Sequence, residues 1–288
     1  MLSRTQPSHE RHRRTSALLV DGKARPAVPD DFRQSPGARL HARWPLPELQ
    51  AAGIDGTILV QSLNDLIETI EYLDLADAHD FIKGVVGWVP LDDSAACVRA
   101  LNSLMARRRF VGVRHLMNYE PDPAWLLRPA VLESLHQLAD RRLVFEAIPV
   151  NDRQLESVIA AAQRVPDLAI VLNHLGRPPV PENGWEPWGT QVTRAAACPN
   201  ISVKLSAGGD LVARWTWSTD QIRRYVDHVL DAFRPDRIMT ASNWPVVLLG
   251  GTFGEVWDGI TQLISGLTPA ERAAILGGTA ECIYRLAA

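Results

Sequence analysis

The chain has 288 residues, with 30 Lys+Arg against 33 Asp+Glu and a formal charge of -3. That balance is too near neutral for a protein that recognises a polyanion by bulk charge, so a nucleic-acid partner is not expected. Hydrophobic residues make up 46% and charged residues 22%, which excludes wholesale disorder and collagen and leaves an ordinary globular protein of one large or two small domains.

The first fifteen residues, MLSRTQPSHERHRRT, are polar and basic and lack the apolar core of a secretory signal. They are expected to form a disordered arm over 1–15, with a single domain over 16–288. From Ala17 onward, short β-branched runs alternate with longer amphipathic stretches. The strand-like runs are ALLVDG from Ala17, DGTILVQS from Asp55, IKGVVGWV from Ile82 and FVGVRHLM from Phe110. LVFEAIPV from Leu143, LAIVLNHL from Leu168, ISVKLSAG from Ile201 and RIMTASNW from Arg237 continue the series. Several are continuously apolar, as parallel strands covered on both faces should be.

Helical periodicity fills the intervals at Asp65–His79, Pro123–Arg141, Asp152–Arg164, Thr219–Phe233 and Thr252–Ile264. A first helix is expected near Leu46–Ala52, after a Pro- and Arg-rich loop over Arg25–Pro47. A last one starts at Thr268, where Pro269 fits the first turn and Glu271 completes a capping box. Strand starts recur about every 31 residues, the span of one βα unit. Eight such units without a linker predict an α/β fold, a single (β/α)8 TIM barrel.

No apolar run approaches the roughly 18 residues of a membrane span, so no membrane partner is expected. Cys97, Cys198 and Cys282 are far apart, without a CxxC or Cys/His spacing. They read as reduced thiols of a cytoplasmic protein.

In such a barrel, chemistry sits at the C-terminal ends of the strands. Those ends carry Asp21, Lys23 and Arg25, then Gln61, Trp88, Arg114 and His115. Glu146 follows within the fifth run, then Asn173, His174 and Arg177, Lys204 and Ser206, and Ser242, Asn243 and Trp244. Cations outnumber carboxylates at this rim, which favours a small anionic or carbonyl-bearing substrate.

The stretches VGVRHLMNYEPDPAWLLRPAVLESL, LNHLGRPP, VKLSAGG and SNWPVVLLGGTF, with LGGTAECIYRL near the C-terminus, resemble the amidohydrolase superfamily. The branch they resemble is that of the amidohydrolase-related lactonases, such as fuconolactonases and pyrone-dicarboxylate lactonases. The resemblance runs from about Leu46 to the C-terminus. It implies a (β/α)8 barrel that hydrolyses lactones, esters or amides, or in related branches decarboxylates aromatic acids.

The departures from that pattern concern the metal. The family opens with a strand ending in His-x-His, and no His-x-His occurs in this chain. VDGKARP stands there, placing Lys23 and Arg25 where the imidazoles belong. The family's Ser-Asp-Trp-Pro is Ser242-Asn243-Trp244-Pro245, and only His174 survives of the familiar set, beside Asn173 in place of Asp. Protonated Lys and Arg offer no lone pair to a divalent ion, and Asn243 cannot take up a proton. No cofactor and no metal site are therefore expected.

Three readings remain open. The first is metal-independent acid/base chemistry by His174, Lys204 and Asn243. Lys23, Arg25, Trp88, Arg114, His115, Arg177 and Trp244 would bind substrate, and the reaction would be lactone opening, elimination, isomerisation or cyclisation. The second is a non-catalytic barrel that holds a ligand. The third is a conventional metal hydrolase with unrecognised ligands, for instance His41 folding back from the first loop. Structural roles compete at each position: Lys23 and Arg25 as solvated loop residues, His174 bonded to a carbonyl, Glu146 neutralising a cation. Gly208-Gly209 and Gly250-Gly251-Thr252 suit either tight turns or a phosphate at a helix N-terminus. Self-association through exposed helices is open as well.

Overall fold

The computed structural model describes residues 46–206, 218–249 and 251–286. The N-terminal arm, the first strand-like run, Lys23, Arg25, His41, Gly208-Gly209 and Gly250 fall outside these residues.

Seven of the eight strand-like runs form strands: β1 Thr57–Val60, β2 Ile82–Gly87, β3 Phe110–His115, β4 Val144–Ala147, β5 Ile170–Leu172, β6 Ile201–Leu205 and β7 Ile238–Thr240. Each pairs in parallel with the next, in the order β1-β2-β3-β4-β5-β6-β7. The closed eight-stranded barrel expected from the sequence is not what they build. The sheet is open and curled, and its edges stand 10 Å apart. Hydrogen-bonded neighbours lie about 4.8 Å apart, so no ladder joins β1 to β7. Counting apolar runs measures strand propensity, whereas closure depends on a bond between the first and last strands that no local pattern encodes. The eighth run, Ala17–Gly22, belongs to the residues outside the described set.

The helices follow the predicted intervals closely. They are α1 Leu46–Ala51, α2 Leu66–Ala78, α3 Ser94–Leu104, α4 Pro129–Asp140, α5 Asp152–Arg164, α6 Trp188–Ala196, α7 Thr219–Phe233, α8 Phe253–Leu263 and α9 Pro269–Ala273. A π-helical stretch over Ala274–Gly278 then leads into α10, Thr279–Ile283. Starts are set by side chains that accept otherwise orphaned amides: Asp65 from Ile67, Asp93 from Ala96 and Asn151 from Gln154. The Thr268–Glu271 capping box forms as expected, and Thr252–Glu255 makes a second one. Two helices, α3 and α6, lie in intervals where the sequence reading named none.

The sheet separates two apolar layers. Its outer face packs against the helices through Val85, Val113, Phe145, Leu172 and Val203, with Leu73, Leu101, Leu135 and Val158 opposite. Its inner face is lined by Val86, Val144, Val171 and Met239, and Tyr284 closes this smaller cluster from the C-terminal segment. Among the described residues no helix is long and apolar enough to cross a membrane.

Candidate active site

Strand register decides which charged side chains meet. Arg114 pairs with Glu146 across β3–β4, Glu146 with Val171 across β4–β5, and Val171 with Ser202 across β5–β6. Paired residues share a face, and Val171 belongs to the inner cluster. Arg114, Glu146 and Ser202 are therefore inward, and so is Lys204, two residues beyond Ser202. His115, paired with Ala147, points to the helix side.

Glu146 is the hub of the inner face and is 0% exposed. Its Oε1 accepts from Lys204 Nζ at 2.7 Å and from the Tyr284 hydroxyl at 2.6 Å, while Oε2 accepts from Asn173 Nδ2 at 3.1 Å. Burial alone would raise this carboxyl, but the Lys204 and Arg114 charges outweigh it and hold the group below the usual carboxylate range. Burial lowers the Lys204 ammonium despite its carboxylate partner. With its oxygens so engaged, Glu146 neutralises a cation and is not placed to take a proton from a substrate.

Arg114 and Gln61 clasp each other. The guanidinium donates from Nη2 to the Gln61 carbonyl, and Gln61 Nε2 donates to the Arg114 carbonyl at 2.9 Å. Gln61 Oε1 and Arg114 Nε are both buried without a hydrogen-bond partner among the described residues.

His174 follows β5 in a left-handed turn. His174 (φ 52), Leu175 (φ 56), Gly176 (φ 69) and Arg177 (φ 62) all lie in the region that disfavours side chains. The Trp188 indole donates to the Leu175 carbonyl at 2.9 Å, and the Arg177 amide to the His174 carbonyl at 2.8 Å. Gly176 is required here, since a Cβ would also lie 2.9 Å from Leu172 Cδ2. Gly176→Ala is expected to lower stability by about 1–2 kcal/mol, read as a shift in the urea midpoint.

This turn places His174 Nδ1 2.7 Å from the Ser206 hydroxyl. Burial, then the Arg114, Lys204 and Arg177 charges, push the imidazole down to about 3 against the opposing pull of Glu146. The ring is therefore neutral at physiological pH, with Arg114, Lys204, Arg177 and Glu146 around it among the described residues.

Among the other candidates, His115 lies on the helix side of the sheet. His115 stacks on Trp125 at 4.1 Å between ring centroids. Its Nδ1 accepts from the Trp88 indole at 3.1 Å. An indole only donates, so the proton of His115 sits on Nε2 and goes to Glu120 Oε1 at 2.7 Å. Burial lowers this histidine in spite of Glu120. His115 thus anchors Trp88 from the outer layer. Asn243 is left-handed (φ 54) and its carbonyl accepts from the Val247 amide at 3.0 Å, while Trp244 is partly buried against the main core. Trp185 and Trp188 pack edge-on at 5.3 Å, as expected of structural tryptophans. Asn173 and Ser206 are legible in the sequence as strand-end residues, but their pairing with Glu146 and His174, and the part played by Tyr284, are not. Inward alternation along β6 offered a signal for Ser206; no local pattern offered one for Tyr284.

A family profile described as amidohydrolase matches residues 45–286. The chain belongs to the amidohydrolase family. An L-fucono-1,5-lactonase of Burkholderia ambifaria is 32% identical over 249 residues, 83% of this chain and 83% of the relative. A second, from Burkholderia multivorans, is 31% identical over 254 residues, 83% of this chain and 84% of the relative. An amidohydrolase from Burkholderia multivorans, solved with bound zinc, superposes with a TM-score of 0.78 at 29% identity, covering 90% of this chain and 94% of the other.

The described side chains do not form a donor set that suits such an ion. Among the described residues no group of three or more His, Cys, Asp or Glu side chains could hold a metal. His174 is surrounded by Arg114, Lys204 and Arg177, and the one carboxylate of that group is bonded to Lys204, Tyr284 and Asn173. Cations at these positions repel a divalent ion and supply no lone pair.

Proposed function

We propose that this amidohydrolase works on a small anionic or lactone-like substrate without a divalent metal, moving protons through His174 and stabilising charge with protein cations. The observation that carries this reading is geometric: His174 rests on Ser206, on the inner face of the sheet that also bears Arg114, Lys204 and Glu146. A catalytic divalent ion polarises a carbonyl and prepares a nucleophile. Here the Arg114 guanidinium and Lys204 ammonium take the first task, facing the oxygen on which negative charge develops. Neutral His174 has one ring nitrogen able to accept a proton, which suits it to the second. Asn243 hydrogen-bonds the substrate without exchanging a proton, and Arg177, Trp88 and Trp244 position it. The two fucono-lactonase relatives make a sugar-acid lactone the favoured substrate class, opened by water or closed in reverse.

The reading is tested with chelator-dialysed protein on a panel of γ- and δ-lactones of sugar acids. Turnover is expected to survive chelation and to gain nothing from added zinc or manganese. Activity that disappears on chelation and returns with metal overturns it.

A further inference from the structure

Past the end of β6 the next inward position after Ser202 and Lys204 is Ser206. Its side chain is only 2% exposed, and its hydroxyl lies 2.7 Å from His174 Nδ1. The imidazole is held against it by a backbone that costs about 1–2 kcal/mol for each non-glycine left-handed residue, and such strain concentrates at sites of function. An independent observation adds to this: Arg114 Nε is a buried donor lacking any acceptor among the described residues. A nucleophile hydroxyl, an imidazole in hydrogen-bond contact and a vacant cationic donor are the parts of an acyl-transfer site.

Resting on the acyl chemistry proposed above, we infer that Ser206 is a nucleophile that forms an ester with the substrate, with His174 as its base and Arg114 Nε as an oxyanion donor. Ser206 Oγ bonds to the lactone carbonyl carbon as its proton passes to His174, and the carbonyl π electrons move onto oxygen, facing Arg114. The ring C–O bond then breaks, and the departing oxygen takes the proton from His174. Water adds to the resulting ester, giving its proton to His174, and Ser206 leaves as the hydroxyl after recovering that proton. One water is consumed and a hydroxy acid is produced.

The surrounding cations act twice in this scheme. They disfavour the imidazolium in the resting site, and they stabilise the oxyanion that accompanies it during transfer. The imidazole therefore rests neutral but weakly basic, and it takes up a proton only while negative charge is developing beside it.

The test is covalent labelling of the full chain with phenylmethanesulfonyl fluoride, followed by intact mass and peptide mapping. A single adduct on the Ser206 peptide is expected, absent in Ser206→Ala and formed at least about 100-fold more slowly in His174→Ala. An unlabelled wild type, a label on another serine, or an equal rate in His174→Ala overturns the inference. Ser206→Cys keeps a nucleophile in place should the alanine variant not fold. Alkylation of that thiol by iodoacetamide is expected to depend on His174, and independence from His174 counts against the assignment. Lactone turnover separates this inference from the broader reading. Wild-type turnover in Ser206→Ala alongside loss in His174→Ala removes the nucleophile and leaves metal-independent catalysis standing. Labelling at Ser206 without any lactone turnover leaves the nucleophile and removes the substrate class.

Discussion

Glu146→Gln is expected to lower the stability of the fold by about 3–5 kcal/mol, the cost of removing one partner from a buried ion pair. A domain is typically stable by only about 5–15 kcal/mol, so the loss would be a large fraction of the whole. Glu146 is 0% exposed and Lys204 6%. The carboxylate also receives the Tyr284 hydroxyl and the Asn173 amide and faces the charge of Arg114. An amide of the same shape still accepts a hydrogen bond but leaves the ammonium and guanidinium uncompensated. Equilibrium urea unfolding reads the effect directly. Without its carboxylate the Lys204 ammonium titrates lower still in the folded chain. Between that value and the ordinary lysine range the unfolded chain then binds more protons, so the variant should regain stability as pH rises towards 10. Adding Lys204→Met to Glu146→Gln should recover part of the loss, because the buried ammonium is gone while the Arg114 guanidinium still lacks the Glu146 charge. A loss below about 1 kcal/mol would reduce the pair to the worth of a surface salt bridge.

His174→Ala is expected to reduce turnover by about 10²–10⁴-fold, the usual contribution of a positioned acid/base group, with the far-UV circular dichroism unchanged. The pH dependence gives the more specific signature. A histidine held near 3 stays neutral across the physiological range, so the rate should show no acid limb near 6.5. A limb assignable to His174 belongs close to pH 3. Stability follows the same displacement. Between about 3 in the folded chain and about 6.5 in the unfolded one, the unfolded state binds the additional proton. Stability should therefore be complete above 6.5 and fall as pH drops through that window. Urea midpoints at pH 7 and pH 5 should differ more in the wild type than in His174→Ala, since the variant has no imidazole to protonate. Equal differences in the two proteins would mean that His174 is protonated as readily folded as unfolded.

What could be read along the chain is what short segments decide. Continuous apolar runs such as IKGVVGWV specify strands covered on both faces, and Thr268 with Glu271 specifies a helix start, because both signals act within a few residues. The motifs around His174 and Asn243 gave the family, and residue chemistry alone shows that cations and an amide are poor ligands for a divalent ion. α3 and α6 carry the same local signal, with buried residues at helical spacing over Cys97, Ala100, Leu101 and Leu104 and over Trp188, Val192, Ala195 and Ala196, so they too were legible along the chain.

Tertiary structure decided everything that depends on residues far apart meeting. Arg114 faces inward and His115 outward because β3 is in register with β4, a property of two segments together. Tyr284 reaches Glu146 across 138 positions of sequence, and the left-handed turn after β5 brings His174 onto Ser206, 32 positions away. Closure of the sheet is of the same kind. Eight strand-like runs are a count of local propensities, but the described strands end as an open curl with edges 10 Å apart. A ladder between first and last strands is a long-range bond, and neither composition nor periodicity carries it.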